Sequence, residues 1–535
     1  MITGLPNNLS QVVQTNDNLE RYLLSLSQEV PATDRSWLYE DRDPEWILST
    51  WKECLHSLEN GDTFEKEVFQ FDISSEEKWG PQGGHAPMEK LFEDIIAPSF
   101  QDVSPHPRLF GVSRGHWQEI NYYNCSLDWH NAIHEVINEY HEFQVSSIRP
   151  ATLKSVVEDM RARDTLESNS GWPDFARRNL PEVKQAAMLA ASDGSYTKYP
   201  AIALFRTYRG KTRLVWMFPM STNLVEGSLY QPSQNAIIKA DMPFYAPWKG
   251  FEAVRDLITK AYDSGAFVSA SDFSSTDAHF KLATSAQAYF VLEELFKQPA
   301  HKDQLWQSLV HMHNIPLVIG VDQMVTGHHG VSSGSNWTNF IETVFDHIFA
   351  KYVQKRTGVN GFYAIGDDMA WVTSKYNDAF DKQLEELGKD VGQIIKAEKT
   401  TNDPDKVKTL QRLFQRGYKR PDGKVRGVYP TIRALNSSVY PERFHKSKLW
   451  SSDMFCARQY MILENCVDHP LFEEFVKFVV KGQKDLIPFA KKSSTELDRI
   501  LRQSKLIPGL NPTYNQERRD SSLADFEAIK IARNL

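Results

Sequence analysis

Two short apolar runs stand on either side of a polar tip in YAIGDDMAWV, residues 363–372. Each run is too short for a helix and long enough for a strand. Gly366 followed by Asp367 supplies the residue that tolerates the positive φ of a tight hairpin turn. Upstream, Ala266 to Asp272 reads as a buried strand, and a period of two puts Val268, Ala270 and Asp272 on one face. Between them GVSSGSNWTNF, a Gly- and Ser-rich loop from Gly330, gives way to a different period. Trp337, Phe340, Ile341, Val344, Phe345 and Ile348 recur at helical spacing and predict one amphipathic face.

Outside this centre the pattern is mostly helical. The best-marked N-terminal helix opens at Asp43-Pro44, an N-cap followed by a first-turn proline, and stops near Asn60-Gly61. Further helices are predicted over 134–144, 181–192 (opened by Pro181), 281–297, 378–388, 441–465, 469–483 and 494–504. FRTYRGKTRLVW, residues 205–216, reads as two strands joined by a turn at Arg209-Gly210-Lys211. SNSGWP, Ser168 to Pro173, is turn chemistry with an aromatic. From Leu506 onward Pro508, Gly509, Pro512 and Tyr514 break the periodicity, which predicts a tail with one short final helix.

With 535 residues, 41% of them hydrophobic and 24% charged, the chain can bury a large core and is not wholesale disordered. No apolar run approaches the ~18 residues of a membrane span, and MITGLPNNLSQVV has no basic region that would mark a secretory signal. Cys54, Cys125, Cys456 and Cys466 are scattered without a CxxC, favouring a reducing compartment and arguing against structural zinc. His311, His313, His328 and His329 lack a matching Cys or His pair and are expected to be ordinary loop histidines. The net charge of −8 divides unevenly: residues 1–100 hold 19 acids against 7 bases, a net of −12 that leaves +4 for the rest. Residues 394–433 hold 11 bases against 4 acids, the kind of local patch that phosphates bind.

The adjacent carboxylates of Asp367 and Asp368 repel unless a cation lies beside them, and Mg²⁺ is commonly held by one or two carboxylates plus substrate phosphates. The tripeptide alone is more often a solvated turn. Asp272, ending a buried strand, needs a partner, and Asp367 is a candidate. Strands that brought the two together would hold two metal ions about 3.5–4 Å apart, the arrangement of phosphoryl transfer. The loop from Gly330 leads into a helix N-terminus, which offers N–H groups to an anion. Arg206, Arg209, Lys211 and Arg213 form a cationic hairpin without one acid, a feature that a plain solvated hairpin also shows.

Asp272-x4-Asp277, Ser333-Gly334-x3-Thr338 and Gly366-Asp367-Asp368, in that order, resemble motifs A, B and C of viral RNA-dependent RNA polymerases. Chain length, RGKTRLVW and SNSGWP make the chain most similar to polymerases of small bisegmented double-stranded RNA viruses, the picobirnaviruses, with the partitiviruses next. The resemblance implies an α+β right hand of fingers, palm and thumb. Its antiparallel palm sheet would carry the motif A strand and the motif C hairpin, with helices elsewhere. It places an acidic helical extension bridging fingers and thumb at 1–100, fingers at 101–264 and 281–329, palm at 265–280 and 330–425, and a thumb with C-terminal tail at 426–535.

It also implies roles. Asp272 and Asp367 would hold Mg²⁺, for which Mn²⁺ can substitute, with Asp368 assisting; Lys399, with Lys396 as its rival, would protonate pyrophosphate. Arg209, Lys211 and Arg213 (motif F) would hold the incoming triphosphate, and Ser333, Gly334 and Thr338 would shape the pocket. Ser170 and Gly171 (motif G) would border the template entry, while Arg412 and Arg416 in RLFQRGY (motif E) would grip the primer end. In many relatives the counterpart of Asp277 reads the ribose together with an Asn four residues after the motif B Thr. Here that position is Glu342, and Asn339 follows Thr338. Two acids in contact repel, so Asn339 is the expected partner.

The implied partners are RNA template, nascent RNA, nucleoside triphosphates and a viral capsid protein, with no membrane and no zinc. The implied location is the virion interior and host cytoplasm. A reverse transcriptase with the same palm and a non-catalytic RNA-packaging protein are the alternatives. An unprimed start would need a platform, which residues 506–535 could supply through Tyr514 or, packed on the thumb, could not.

Overall fold

The computed structural model describes residues 10–12, 16–27, 38–80, 88–101, 108–110, 125–208, 211–321, 323–440, 451–507, 510 and 521–535. Its strands are β1 (Ser10–Val12), β2 (Ala201–Tyr208), β3 (Lys211–Met217), β4 (Phe267–Asp272), β5 (Leu317–Val318), β6 (Met324–Thr326), β7 (Asn360–Ile365) and β8 (Asp368–Thr373), followed by Lys406–Thr409 and Arg412–Gln415. Contacts divide the chain into two units. One comprises Met1–Leu24, Ala86–Leu204 and Leu214–Thr409; the other comprises Ser25–His85, Phe205–Arg213 and Leu410–Leu535.

The first unit is built on the expected hairpin. β7 and β8 pair antiparallel, and β4 adds to β8 with Asp272 opposite Asp368. Gly366 stands at φ 58, the left-handed region that its turn requires. The strand at 267–272 is buried on both faces, not one. Ser269 and Ser271 lie inside as well, Ser271 Oγ accepting from the Trp371 indole (2.9 Å) and Ser269 Oγ donating to Asn402 Oδ1 (3.2 Å). The segment after residue 393 runs beside β4: Ala270 and Thr401 exchange backbone bonds (3.1 and 2.9 Å), and Ser274 N donates to the Ile394 carbonyl (2.7 Å). A second sheet has the order β1-β6-β5-β2-β3, with β2 and β5 parallel.

The helix after the Gly-Ser loop is Trp337–Thr357, ended by Gly358 at φ 74. Its apolar stripe is buried as expected, and so are Glu342, Thr343, Asp346 and His347 on its other faces, so it runs through the interior. The expected helices 134–144, 181–192, 281–297 and 378–388 appear as Leu127–Glu142, Pro181–Asp193, Leu282–Leu292 and Phe380–Asp390. Met220–Lys239, Phe251–Asp263 and Pro299–Asn314 were not expected. His311 and His313 lie in the last turn of Pro299–Asn314, which corrects their placement in a loop.

In the second unit the acidic N-terminal helices are not a separate module. Pro44–Leu55 and Thr63–Ile73 share one apolar core with Thr431–Val439, Ser452–Glu464, Phe472–Lys481 and Glu527–Arg533. The buried Asp72 carboxylate accepts from the backbone N–H of Thr431 (3.0 Å) and Ile432 (2.9 Å) and from His469 Nε2 (2.9 Å). It thereby caps a helix that begins 359 residues later. The expected helix 441–465 is described only as Ser452–Glu464, since 441–450 lie outside the described residues. Helices at 469–483 and 494–504 appear as Phe472–Lys481 and Ser494–Lys505. The short final helix, Glu527–Arg533, is capped by buried Glu464, whose carboxylate accepts from Glu527 N and Ala528 N (both 3.0 Å). Tyr514 lies outside the described residues.

Candidate active site

The β4–β8 register decides which acids meet. With Asp272 facing Asp368, Asp367 falls in the two-residue turn, where its carbonyl accepts from Phe273 N (3.3 Å) and its Oδ2 accepts from Thr276 Oγ1 (3.4 Å). The turn is tied to the long helix, because Gly366 N donates to Thr343 Oγ1 (2.8 Å). The groups that shift Asp368, Glu342 and Asp346 are other acids, added to burial. Burial, then Asp367 and Asp272, push the Asp368 carboxyl up to about 8. Burial also holds Glu342 well above the usual carboxylate range, with Asp367, Asp277 and Asp368 adding to it, and Asp346 one turn further on behaves alike.

Among the described residues neither carboxyl oxygen of Asp346 has a hydrogen-bond partner. Acids thus crowd together here with the ionised form disfavoured, an environment that a divalent cation relieves. Among the described residues no three His, Cys, Asp or Glu side chains converge as a ready-made metal shell.

The loop before the long helix is fixed by two glycines whose role is steric. A Cβ on Gly330 would overlap the Asp277 carbonyl, and one on Gly334 would overlap the Trp216 carbonyl. Ser333 is exposed, and its Oγ accepts from Trp216 N (3.1 Å), leaving its own proton to donate. Thr338 Oγ1 donates back to the Ser332 carbonyl (2.5 Å). Asn339 is exposed; its Oδ1 accepts from the Trp248 indole (3.4 Å), and its Nδ2 would stand 2.9 Å from a Cβ on Gly366. Glu342 Oε2 is 3.4 Å from the same point, so both residues weighed for ribose contact reach the turn that carries Asp367. Asp277 is exposed on the short helix Thr276–His279. Lys396 and Lys399 are both exposed on the segment beside β4.

Other expected residues lie elsewhere. Arg209 is outside the described residues; Lys211 and Arg213 are exposed on β3 and group with the second unit. Gly171, at φ 67, packs on the Phe218 carbonyl, while Ser170 is buried and its Oγ accepts from Ala176 N (3.2 Å). The Ser170 side chain is thus turned inward, which corrects its expected contact with RNA. Arg412 is corrected too. It is 0% exposed, and its guanidinium donates to the carbonyls of Gly427 (3.0 Å) and Asn465 (2.9 Å), so it has no surface to offer a primer. Arg416 is half-buried. Sequence reasoning missed Asp346, and also Arg178, Asn223 and Glu226, whose burial no local pattern announces.

Residues 208–440 match the family model for viral RNA-dependent RNA polymerase. The chain is 26% identical over 495 residues to a potential RNA-dependent RNA polymerase of human picobirnavirus, covering 88% of this chain and 86% of that one. It is 23% identical over 241 residues to an RNA-directed RNA polymerase of Cryptosporidium parvum virus 1, covering 43% of each. Crystal structures of a human picobirnavirus RNA-dependent RNA polymerase share the fold. The TM-score is 0.77 at 22% identity, covering 97% of both chains, and 0.75 at 24% identity for an insertion-loop deletion mutant, covering 92% of this chain and 94% of that one.

Proposed function

We infer that this chain, a viral RNA-dependent RNA polymerase by the domain it carries and by its relatives, joins ribonucleotides on an RNA template by two-metal nucleotidyl transfer. The observation that carries this reading is the pairing of Asp272 with Asp368 across β4 and β8, with Asp367 in the turn. Asp272 and Asp367, with Asp368 assisting, would hold two divalent cations, Mg²⁺ with Mn²⁺ able to substitute, which when bound lower the pKa of the primer 3′-hydroxyl and offset charge on the departing pyrophosphate. Ser333 and Thr338 shape the nucleotide pocket from a loop that Gly330 and Gly334 hold in place. Lys211 and Arg213, with Arg209, supply cations for the triphosphate. Lys399, or Lys396 beside it, is placed to give a proton to pyrophosphate.

In this reading residues 101–264 and 281–329 serve as fingers, 265–280 and 330–425 as palm, and 426–535 as thumb and tail. Residues 1–100 are assigned the role of bridging fingers and thumb. As the enzyme of a double-stranded RNA virus it would work in the virion interior and host cytoplasm, against a capsid protein. Among the described residues no helix is long and apolar enough to cross a membrane. The test is incorporation on a homopolymer RNA template. Metal-dependent use of ribonucleotides supports the assignment; dependence on deoxyribonucleotides would make the chain a reverse transcriptase, and no incorporation would leave a packaging protein.

Sugar choice follows from Asp277 and Asn339. A site that hydrogen-bonds a hydroxyl can reject the analogue lacking it by roughly 10⁴–10⁵. Asp277→Ala is expected to lower kcat/KM for ribonucleotides much more than for matched deoxyribonucleotides, narrowing the preference at least about tenfold. Asn339→Ala acts in the same direction, less strongly. Equal losses for both sugars in Asp277→Ala would show that the residue does not read the ribose.

A further inference from the structure

Between the turn at 168–173 and the loop at 330–336 lies the start of helix Met220–Lys239, and its residues are bonded to both. On the turn's side Met220 N donates to the Ser170 carbonyl (2.8 Å), and half-buried Arg178 donates from Nε to the Asn169 carbonyl (3.0 Å) and from Nη2 to Asn223 Oδ1 (3.0 Å). On the loop's side Asn223 Nδ2 donates to the Gly334 carbonyl and to Glu226 Oε1 (both 3.1 Å). Glu226 Oε1 also accepts from Asn336 N (3.1 Å), its Oε2 accepts from the Ser335 hydroxyl, and Asn336 Nδ2 donates to the Asn223 carbonyl (2.9 Å).

Two features set this network apart from ordinary core satisfaction. Helix Trp337–Thr357 has Asn336 at its N-cap position, yet that side chain makes no capping bond. The first-turn Trp337 N donates instead to Ser335 Oγ (3.1 Å), whose hydroxyl donates to Glu226 on another helix, so the loop cannot shift without breaking bonds to a carboxylate. Secondly, Glu226 is 1% exposed, and burial raises its carboxyl to about 7 despite three donors pulling it down. A buried acid without a directly paired cation is costly to keep. Among the described residues its link to a cation runs through Asn223, which accepts from Arg178 and donates to Glu226. Replacing the acid by an apolar residue would strand the Asn336 N–H and the Ser335 hydroxyl.

We propose that Arg178, Asn223 and Glu226 are positioning residues that lock the nucleotide-pocket loop to the turn at 168–173, so that a change at either end alters nucleotide affinity. This rests on the role given above to the loop. The test compares wild type, Glu226→Gln, Arg178→Lys and the double variant in primed synthesis on a homopolymer RNA, recording nucleotide KM, kcat and Tm. Glu226→Gln keeps the volume and loses an acceptor; its KM is expected to rise about tenfold with kcat within about threefold. Arg178→Lys keeps the charge, loses the fork and touches no nucleotide, and its KM is expected to rise about threefold. The double variant should be no worse than Glu226→Gln, because both act through one network.

Wild-type KM in Glu226→Gln, multiplying effects in the double variant, or a fall in kcat and Tm at constant KM would each overturn the proposal. Should Glu226→Gln fail to fold, Ser335→Ala removes the donor to Glu226 and the acceptor of Trp337 N, and is expected to raise KM at least about threefold; an unchanged KM there counts against it equally. Incorporation by wild type and none by Asp367→Asn keeps the polymerase reading intact whichever way these constants fall. Absence of incorporation by wild type removes that reading, and this proposal with it.

Discussion

Asp367→Asn yields a chain that still binds RNA and incorporates nucleotides at least about 10³-fold more slowly. The substitution is nearly isosteric. The Asp367 carbonyl keeps its bond from Phe273 N, and the side chain can still accept from Thr276 Oγ1, so the hairpin persists. What disappears is one negative charge from a group in which Asp368 is already pushed up to about 8 and Glu342 and Asp346 stand well above their usual range. Two signs follow for stability. Without divalent cation the variant is expected to melt no lower than wild type, because a repulsive neighbour has gone. On adding Mn²⁺ or Mg²⁺ the wild type gains stability by binding linkage, and the variant gains less. Thermal melts with and without the cation, beside an incorporation assay, check both. Near-wild-type incorporation by Asp367→Asn would end the two-metal reading.

Gly334→Ala is expected to cost about 10²-fold in kcat/KM, a loss of the size that follows a displacement of about 1 Å at a reacting centre. The added methyl has nowhere to go, since its position overlaps the Trp216 carbonyl. Trp216 in turn belongs to β3 and packs against His329 at 4.4 Å between ring centroids. The loop must therefore retreat, carrying Ser333 and its bond to Trp216 N with it. Gly320→Ala is the control: the nearest atom to a Cβ there is Gln323 Cβ at 3.8 Å, and activity should not change. Activity within about threefold of wild type in Gly334→Ala would mean that the loop works in a position away from Trp216.

The centre of the first unit was legible because its signals are local. A period of two, a Gly-Asp turn and a helical stripe after a Gly-Ser loop are written in adjacent residues, and β4, β7, β8 and Trp337–Thr357 follow them closely. Helix Met220–Lys239 escaped because its pattern has no polar side: Thr222, Asn223, Glu226 and Gln231 are buried with its leucines, and Pro232 lies within it. Arg412 shows the same limit. A guanidinium near other cations suggests phosphate, and only tertiary structure reveals that backbone carbonyls occupy it. The partnership of 38–80 with the C-terminal helices is likewise invisible locally, since each half carries an unremarkable apolar stripe.

That last partnership has a consequence during synthesis. Asp72 leaves the ribosome long before the groups it binds: His469 follows 397 residues later. At roughly 5–20 residues per second this interval is on the order of 20–80 s. For that time Trp51 lacks Phe475 and Phe478, the rings it packs on, and Phe69 and Phe71 lack the C-terminal part of their shared core. The second unit therefore closes only once Phe526 and Ile529 have emerged to complete the same core. A truncated translation product would present an unsatisfied acidic N-terminal piece to chaperones and proteases, and removal of the chain from Leu506 onward would take core residues along with the tail.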